Sequence, residues 1–159
     1  MNRVVIIGRG TSGKSTLAVR LGEVTGLPVI ELDNAFWRPG LVATSRDRWV
    51  VVQERLVAEE RWIMDGDLGA YDAAEIRLRA ADTILFLDFS LVRCGWRAIR
   101  RSPEHADFWR WLMAYRWQSR PILMEAIAND AVKADLRVFR YPMTLKRFVA
   151  GVACAIQPR

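Results

Sequence analysis

Five short apolar runs rich in valine, isoleucine and leucine recur along the chain, near residues 3 to 8, 28 to 32, 61 to 65, 82 to 88 and 135 to 140. Each has the length and composition of a strand, and the segments between them carry apolar residues at helical intervals. Runs that are continuous rather than alternating imply strands buried on both faces. The pattern therefore predicts an α/β fold, a parallel sheet covered by helices on both sides. The first helix is expected to begin at Gly13 and stop near Gly26, where Gly26-Leu27-Pro28 ends it and restarts an extended segment. A second follows Thr44-Ser45, with Trp49, Val52 and Leu56 at helical spacing. From Ser90 to about Ala131 the pattern is helical, broken at Ser102-Pro103 and bounded again at Pro121, and a last helix covers Thr144 to Ala155. No repeat, low-complexity stretch or linker divides the 159 residues, so a single domain over 1–159 is expected.

In such sheets ligands gather at the carboxyl ends of the strands. The first strand runs directly into Gly8-Arg9-Gly10-Thr11-Ser12-Gly13-Lys14-Ser15, followed by Thr16. This is a complete GxxxxGK[ST] P-loop in its required place between strand and helix. Gly8, Gly10 and Gly13 let the backbone curl until successive N–H groups face a phosphate at the positive end of the next helix. Lys14 is then placed to reach the β- and γ-phosphates, and the Ser15 hydroxyl to take a position on Mg²⁺. The segment Gly8 to Thr16, Arg9, Thr11 and Ser12 included, is the expected cradle of a nucleoside triphosphate. No Asn-Lys-x-Asp is present to read guanine, so the triphosphate is expected to be ATP.

Three aspartates follow strands: Asp33, Asp65 and Asp88. Asp65 closes Trp62-Ile63-Met64-Asp65, the form a Walker B strand takes when its carboxylate orients Mg²⁺; a solvated strand end is the alternative. Asp33 precedes Phe36 and Trp37, which suits a carboxylate that orients or deprotonates an acceptor hydroxyl, or equally a helix cap. Arg97 and Arg101 lie one helical turn apart and are either partners for the charge of a transferring phosphoryl group or a solvated basic face. Between residues 108 and 121, tryptophans alternate with arginines. That text fits single-stranded nucleic acid, but Trp109, Leu112 or Met113, and Arg116 or Trp117 fit better a helix that buries one aromatic stripe, with Arg116 and Arg120 as phosphate contacts.

Composition narrows the picture only modestly. The formal net charge of +6 suits anionic partners without choosing among nucleotides, phosphorylated substrates and nucleic acid. Cys94, Cys154 and the lone His105 form no familiar zinc or nucleophile spacing, and both cysteines are expected to be buried. No apolar run approaches the ~20 residues of a membrane span, and the first residues are already strand-like, so a cytoplasmic protein without a signal peptide is expected.

With these residues in view, the chain resembles the adenylate-kinase-like branch of P-loop kinases, and more closely the topology modulation (FlaR-like) proteins. The resemblance covers nearly the whole chain. It is carried by the P-loop, Leu27-Pro28-Val29-Ile30-Glu31-Leu32-Asp33 with Phe36-Trp37-Arg38-Pro39-Gly40, Arg61-Trp62-Ile63-Met64-Asp65-Gly66, and Ala81-Asp82-Thr83-Ile84-Leu85-Phe86-Leu87-Asp88. It implies a nucleoside-monophosphate-kinase-like three-layer sandwich with strand order 2-3-1-4-5, and an ATP- and Mg²⁺-dependent phosphotransferase acting on a nucleotide or other small molecule. In that family Asp65 sits near Mg²⁺, Arg97 packs on adenine, Arg101 contacts phosphates, and Arg140 lies near the adenine rim, with a lid-like segment near 98–120. Two departures stand out. Asp67-Leu68-Gly69-Ala70 replaces the family's Phe-Pro-Arg monophosphate clamp, leaving Arg77 or Arg79 as substitutes, and the lid is short. The alternatives are an ATP-binding regulator that binds DNA without kinase activity, and a shikimate- or gluconate-type acceptor beside Asp33.

Overall fold

The computed structural model describes residues 1–40, 42–68, 72–101 and 106–156. Strands β1 (Arg3–Gly8), β2 (Val29–Glu31), β5 (Trp62–Asp65), β6 (Thr83–Leu87) and β7 (Asp135–Phe139) form one parallel sheet in the order β2-β5-β1-β6-β7. Counted over this sheet alone the order is 2-3-1-4-5, as expected. The two intervening strands, β3 (Trp37–Arg38) and β4 (Val42–Ala43), form a separate antiparallel hairpin. The three central strands are the ones whose apolar runs are longest, and Val4 to Ile7 and Ile84 to Leu87 are fully buried.

Side chains alternate between two cores, as a strand period of two requires. Val5 and Ile7 point toward α3 (Arg46–Ala58), α4 (Ala74–Ala80) and α7 (Ser119–Asp130), where they meet Trp49, Leu78 and Ile127. Val4 and Ile6 point toward α1 (Lys14–Thr25), α5 (Leu91–Arg101), α6 (Ala106–Ala114) and α8 (Pro142–Ile156), where they meet Leu17, Leu21, Cys94 and Leu112. Burial of these two apolar layers drives the fold, at roughly 25 cal/mol per Å² removed from water. Among the described residues no helix is long and apolar enough to cross a membrane.

The predicted strands, the helix from Gly13 to near Gly26 and the helix after Thr44-Ser45 are present. α2 (Leu32–Phe36), the β3–β4 hairpin and α4 were not foreseen: each is short, and α4 buries Arg77 beside its apolar Leu78. Trp49 is buried as expected, but its helical neighbour inside is Gln53, while Val52 and Leu56 are only half-buried. Cys94 is buried, but Cys154 is exposed because α8 covers the sheet with one side only. The aromatic stripe is also corrected. α6 ends at Ala114 and the chain turns, so Leu112 and Tyr115 go inside and Trp117 is left 72% exposed. The Ser102-Pro103 break and His105 lie outside the described residues.

Candidate active site

The end of β1 is packed so closely against β6 that a Cβ on Gly8 would stand 2.5 Å from the Leu87 carbonyl oxygen, and Gly8 has a φ of 146°. Only glycine fits there. Gly13 caps α1 with a φ of 97°, and a Cβ on it would stand 3.2 Å from the Arg97 guanidinium nitrogens. Between them Thr11 takes a φ of 57°, and its hydroxyl donates to the Cys94 carbonyl (2.8 Å), which ties the loop to α5. Lys14 Nζ donates to the carbonyls of Gly8 (2.9 Å) and Arg9 (3.3 Å), folding the ammonium over the loop. The curled loop thus opens onto the amino end of α1, the geometry that concentrates N–H donors on an anion.

A cavity of about 790 Å³ lies over this loop. Its walls include Lys14, Ser15, Asp33, Asp65 and Arg97, which the sequence singled out from four separate segments. Asp65 sits at the end of β5 opposite Ile6 and is 4% exposed. Burial pushes its carboxyl above the usual range, opposed by a hydrogen bond with the Ser15 side chain and by the Lys14 charge, and Asp33 and Glu31 push it further up. Its Oδ1 is buried without a hydrogen-bond partner. A buried carboxylate oxygen with no donor, beside a serine hydroxyl and below a phosphate loop, fits a hard divalent cation such as Mg²⁺. Asp33, in the first turn of α2, is exposed on the cavity wall.

Several neighbours were missed or misplaced by the sequence reading. The Phe36–Trp37 pair splits: Phe36 is fully buried with its ring 5.2 Å from Trp49, and Trp37 alone reaches the cavity. Asp67 and Phe108 also line it, brought there by the loop after β5 and by α6, with no local sequence signal. Arg97 lines both this cavity and an adjoining apolar groove of about 470 Å³ bounded by Thr16, Arg93, Pro142 and Lys146. Ser12 faces that groove too. The Arg101 side chain lies outside the described ones, and Arg100 is the residue of that turn that lines the main cavity. Arg140 borders neither space. β7 delivers it to a third cavity with the Arg9 side chain, and Pro142 and Lys146, a turn further on, occupy the groove instead.

Arg77 and Arg79 are not free to clamp a phosphate. Arg77 is 1% exposed and donates from Nη1 to Asp72 Oδ1 (2.7 Å) and from Nη2 to Asp72 Oδ2 (2.6 Å), a bidentate pair. It also reaches Gln53 Oε1 (3.1 Å) and the Gly66 carbonyl (3.3 Å). Burial alone would raise the Asp72 carboxyl, but the Arg77 charge outweighs it and holds the group below the usual range. This buried knot fixes the segment that follows Asp65. Arg79 is spent at the surface on Asp130 (2.8 Å). Gly69 and Ala70 lie outside the described residues.

No protein-family model matches the chain, and no curated protein matches it. Solved structures do. A gluconokinase from Sinorhizobium meliloti 1021 is 20% identical with a TM-score of 0.57, covering 97% of this chain and 93% of that one. A sugar kinase from Janibacter sp. HTCC2649 is 21% identical with a TM-score of 0.55, covering 100% and 99%. A shikimate kinase from Acinetobacter baumannii, solved in complex with shikimate, is 16% identical with a TM-score of 0.63, covering 99% and 96%. The chain has the α/β fold of these P-loop kinases over its full length.

Proposed function

We propose that this chain is an ATP- and Mg²⁺-dependent phosphotransferase acting on a small-molecule acceptor. The observation that carries the reading is the convergence of Lys14, Ser15, Asp65, Asp33 and Arg97 on one cavity at the carboxyl ends of β1, β2 and β5. The loop amides and Lys14 would hold the β- and γ-phosphates, and Ser15 with Asp65 would hold the metal. Bound there, Mg²⁺ supplies neutralisation of phosphate charge and alignment of the transferring group. Arg97, against Gly13, would stabilise charge on the phosphoryl oxygens, and the groove it shares with Arg93, Pro142 and Lys146 suits the adenine. Asp33 would orient the acceptor hydroxyl and accept its proton as the new P–O bond forms and the bond to the leaving ADP breaks. Trp37 and Phe108 supply apolar walls, and of the lid-like segment near 98–120, residues 102–105 lie outside the described residues.

The structural neighbours act on gluconate, a sugar and shikimate by their names, which supports a hydroxylated acceptor. The buried commitment of Arg77 to Asp72 counts against a nucleoside monophosphate held by that arginine. Exchanging Asp33 for Asn tests the assignment: ATP affinity should hold while transfer falls by about 10²–10⁴-fold. An equal loss of both would place Asp33 on the metal instead. A second reading, an ATP-binding regulator of DNA akin to the topology modulation group, has the net charge of +6 and the exposed Trp96 and Trp117 in its favour. It predicts DNA affinity that falls steeply with salt.

A further inference from the structure

Bounded by the P-loop residue Arg9 and by the segments that follow β6 and β7, a third cavity of about 510 Å³ carries four arginines on its wall, Arg9, Arg116, Arg120 and Arg140. They come from the P-loop, the turn after α6, the first turn of α7 and the end of β7. Arg120 is bidentate to Asp88 (3.1 and 3.0 Å), so one of the four charges is neutralised locally. Among the described residues Arg9, Arg116 and Arg140 enter no ion pair. Arg9 is the telling member. It is only 5% exposed, its guanidinium stands over the Tyr115 ring at 5.1 Å, and its Nε and Nη1 have no hydrogen-bond partner.

A buried guanidinium with unmet donors is costly unless an acceptor comes to it. Arg116 and Arg140, on the same wall and outside any ion pair among the described residues, make the cavity a place where an acceptor gains by being anionic even beside the Arg120–Asp88 pair, and bidentate arginine geometry matches phosphate oxygens. Trp117 and Met113 on the rim add an exposed apolar edge. We propose that this cavity is a second phosphate-group site, distinct from the P-loop cavity, which takes either a free oxyanion such as pyrophosphate or the phosphate of a nucleotide. The proposal does not rest on the phosphotransferase reading, because none of its arginines is needed to fill the P-loop cavity.

Calorimetric titration of the Lys14→Ala chain with pyrophosphate, and separately with AMP, tests it in a background weakened at the P-loop. Arg116→Gln and Arg140→Gln are the probes, since both side chains are exposed and their loss spares the core. The expected result is binding at one site per chain that weakens at least tenfold in either variant and falls with added salt. Arginine-dependent binding of pyrophosphate, of AMP or of both supports the site and tells a bare oxyanion from a nucleotide. Failure of both pyrophosphate and AMP to bind the Lys14→Ala chain, or binding indifferent to both arginine substitutions, overturns it.

Discussion

Removing the Arg77 side chain while keeping its volume, as in Arg77→Met, strands the Asp72 carboxylate at 5% exposure. Two bonds of 2.6 and 2.7 Å vanish, and what remains to Asp72 is long: Trp49 Nε1 at 3.3 Å, Gln53 Nε2 at 3.4 Å and the Leu68 N–H at 3.3 Å. Breaking one side of a buried ion pair costs about 3–5 kcal/mol. For a chain of this size each kcal/mol lowers the melting temperature by about 2–4 °C, so the variant should melt about 6–20 °C below wild type. Removing both charges, as in Arg77→Met with Asp72→Leu, should recover much of this, because replacing a buried pair by apolar groups is often near neutral. The double-mutant coupling should exceed about 2 kcal/mol. Urea unfolding followed by tryptophan fluorescence reads these values, since Trp49 and Trp62 are fully buried. The pair also sets a pH signature. Asp72 is held below its ordinary value of 3.8, so the unfolded chain takes up that proton more readily, and stability falls as pH drops below about 4. An Arg77→Met chain within about 1 kcal/mol of wild type, with no gain from the second substitution, would mean that the buried pair does not carry the stability assigned to it.

Asp65 should behave in the opposite sense: its carboxyl lies above 3.8 in the fold, so its ionised form costs stability as pH rises from about 4. Asp65→Asn should therefore melt above wild type without ligand and lose the Mg²⁺-dependent part of its ATP affinity, readable by thermal shift with and without the metal. Gly8→Ala combines a 2.5 Å approach to Leu87 O with a φ of 146°, and calorimetric unfolding should show a loss of more than about 2 kcal/mol.

The sheet was legible because buried parallel strands leave continuous apolar runs, and Val4 to Ile7 and Thr83 to Leu87 are such runs. The P-loop was legible because its glycines and lysine are fixed by phosphate geometry within a few residues. Other features depend on long-range packing and leave no local trace. Arg77 reads as a surface charge in sequence, and only the meeting of α3, α4 and the loop after β5 buries it on Asp72. Arg140 follows the fifth strand of the sheet, where the family resemblance implies a residue at the adenine rim, yet the exit of β7 sends it to the cavity it shares with Arg9. Phe108 joins the main cavity solely through the placement of α6.

Phosphotransfer is tested by coupled release of ADP from ATP and Mg²⁺ across a panel of sugars, hydroxylated acids, nucleosides and nucleoside monophosphates, with Lys14→Ala alongside. Turnover should require one acceptor class and disappear with Lys14. ATP turnover that no acceptor stimulates, or that survives the loss of Lys14, would contradict the proposed function.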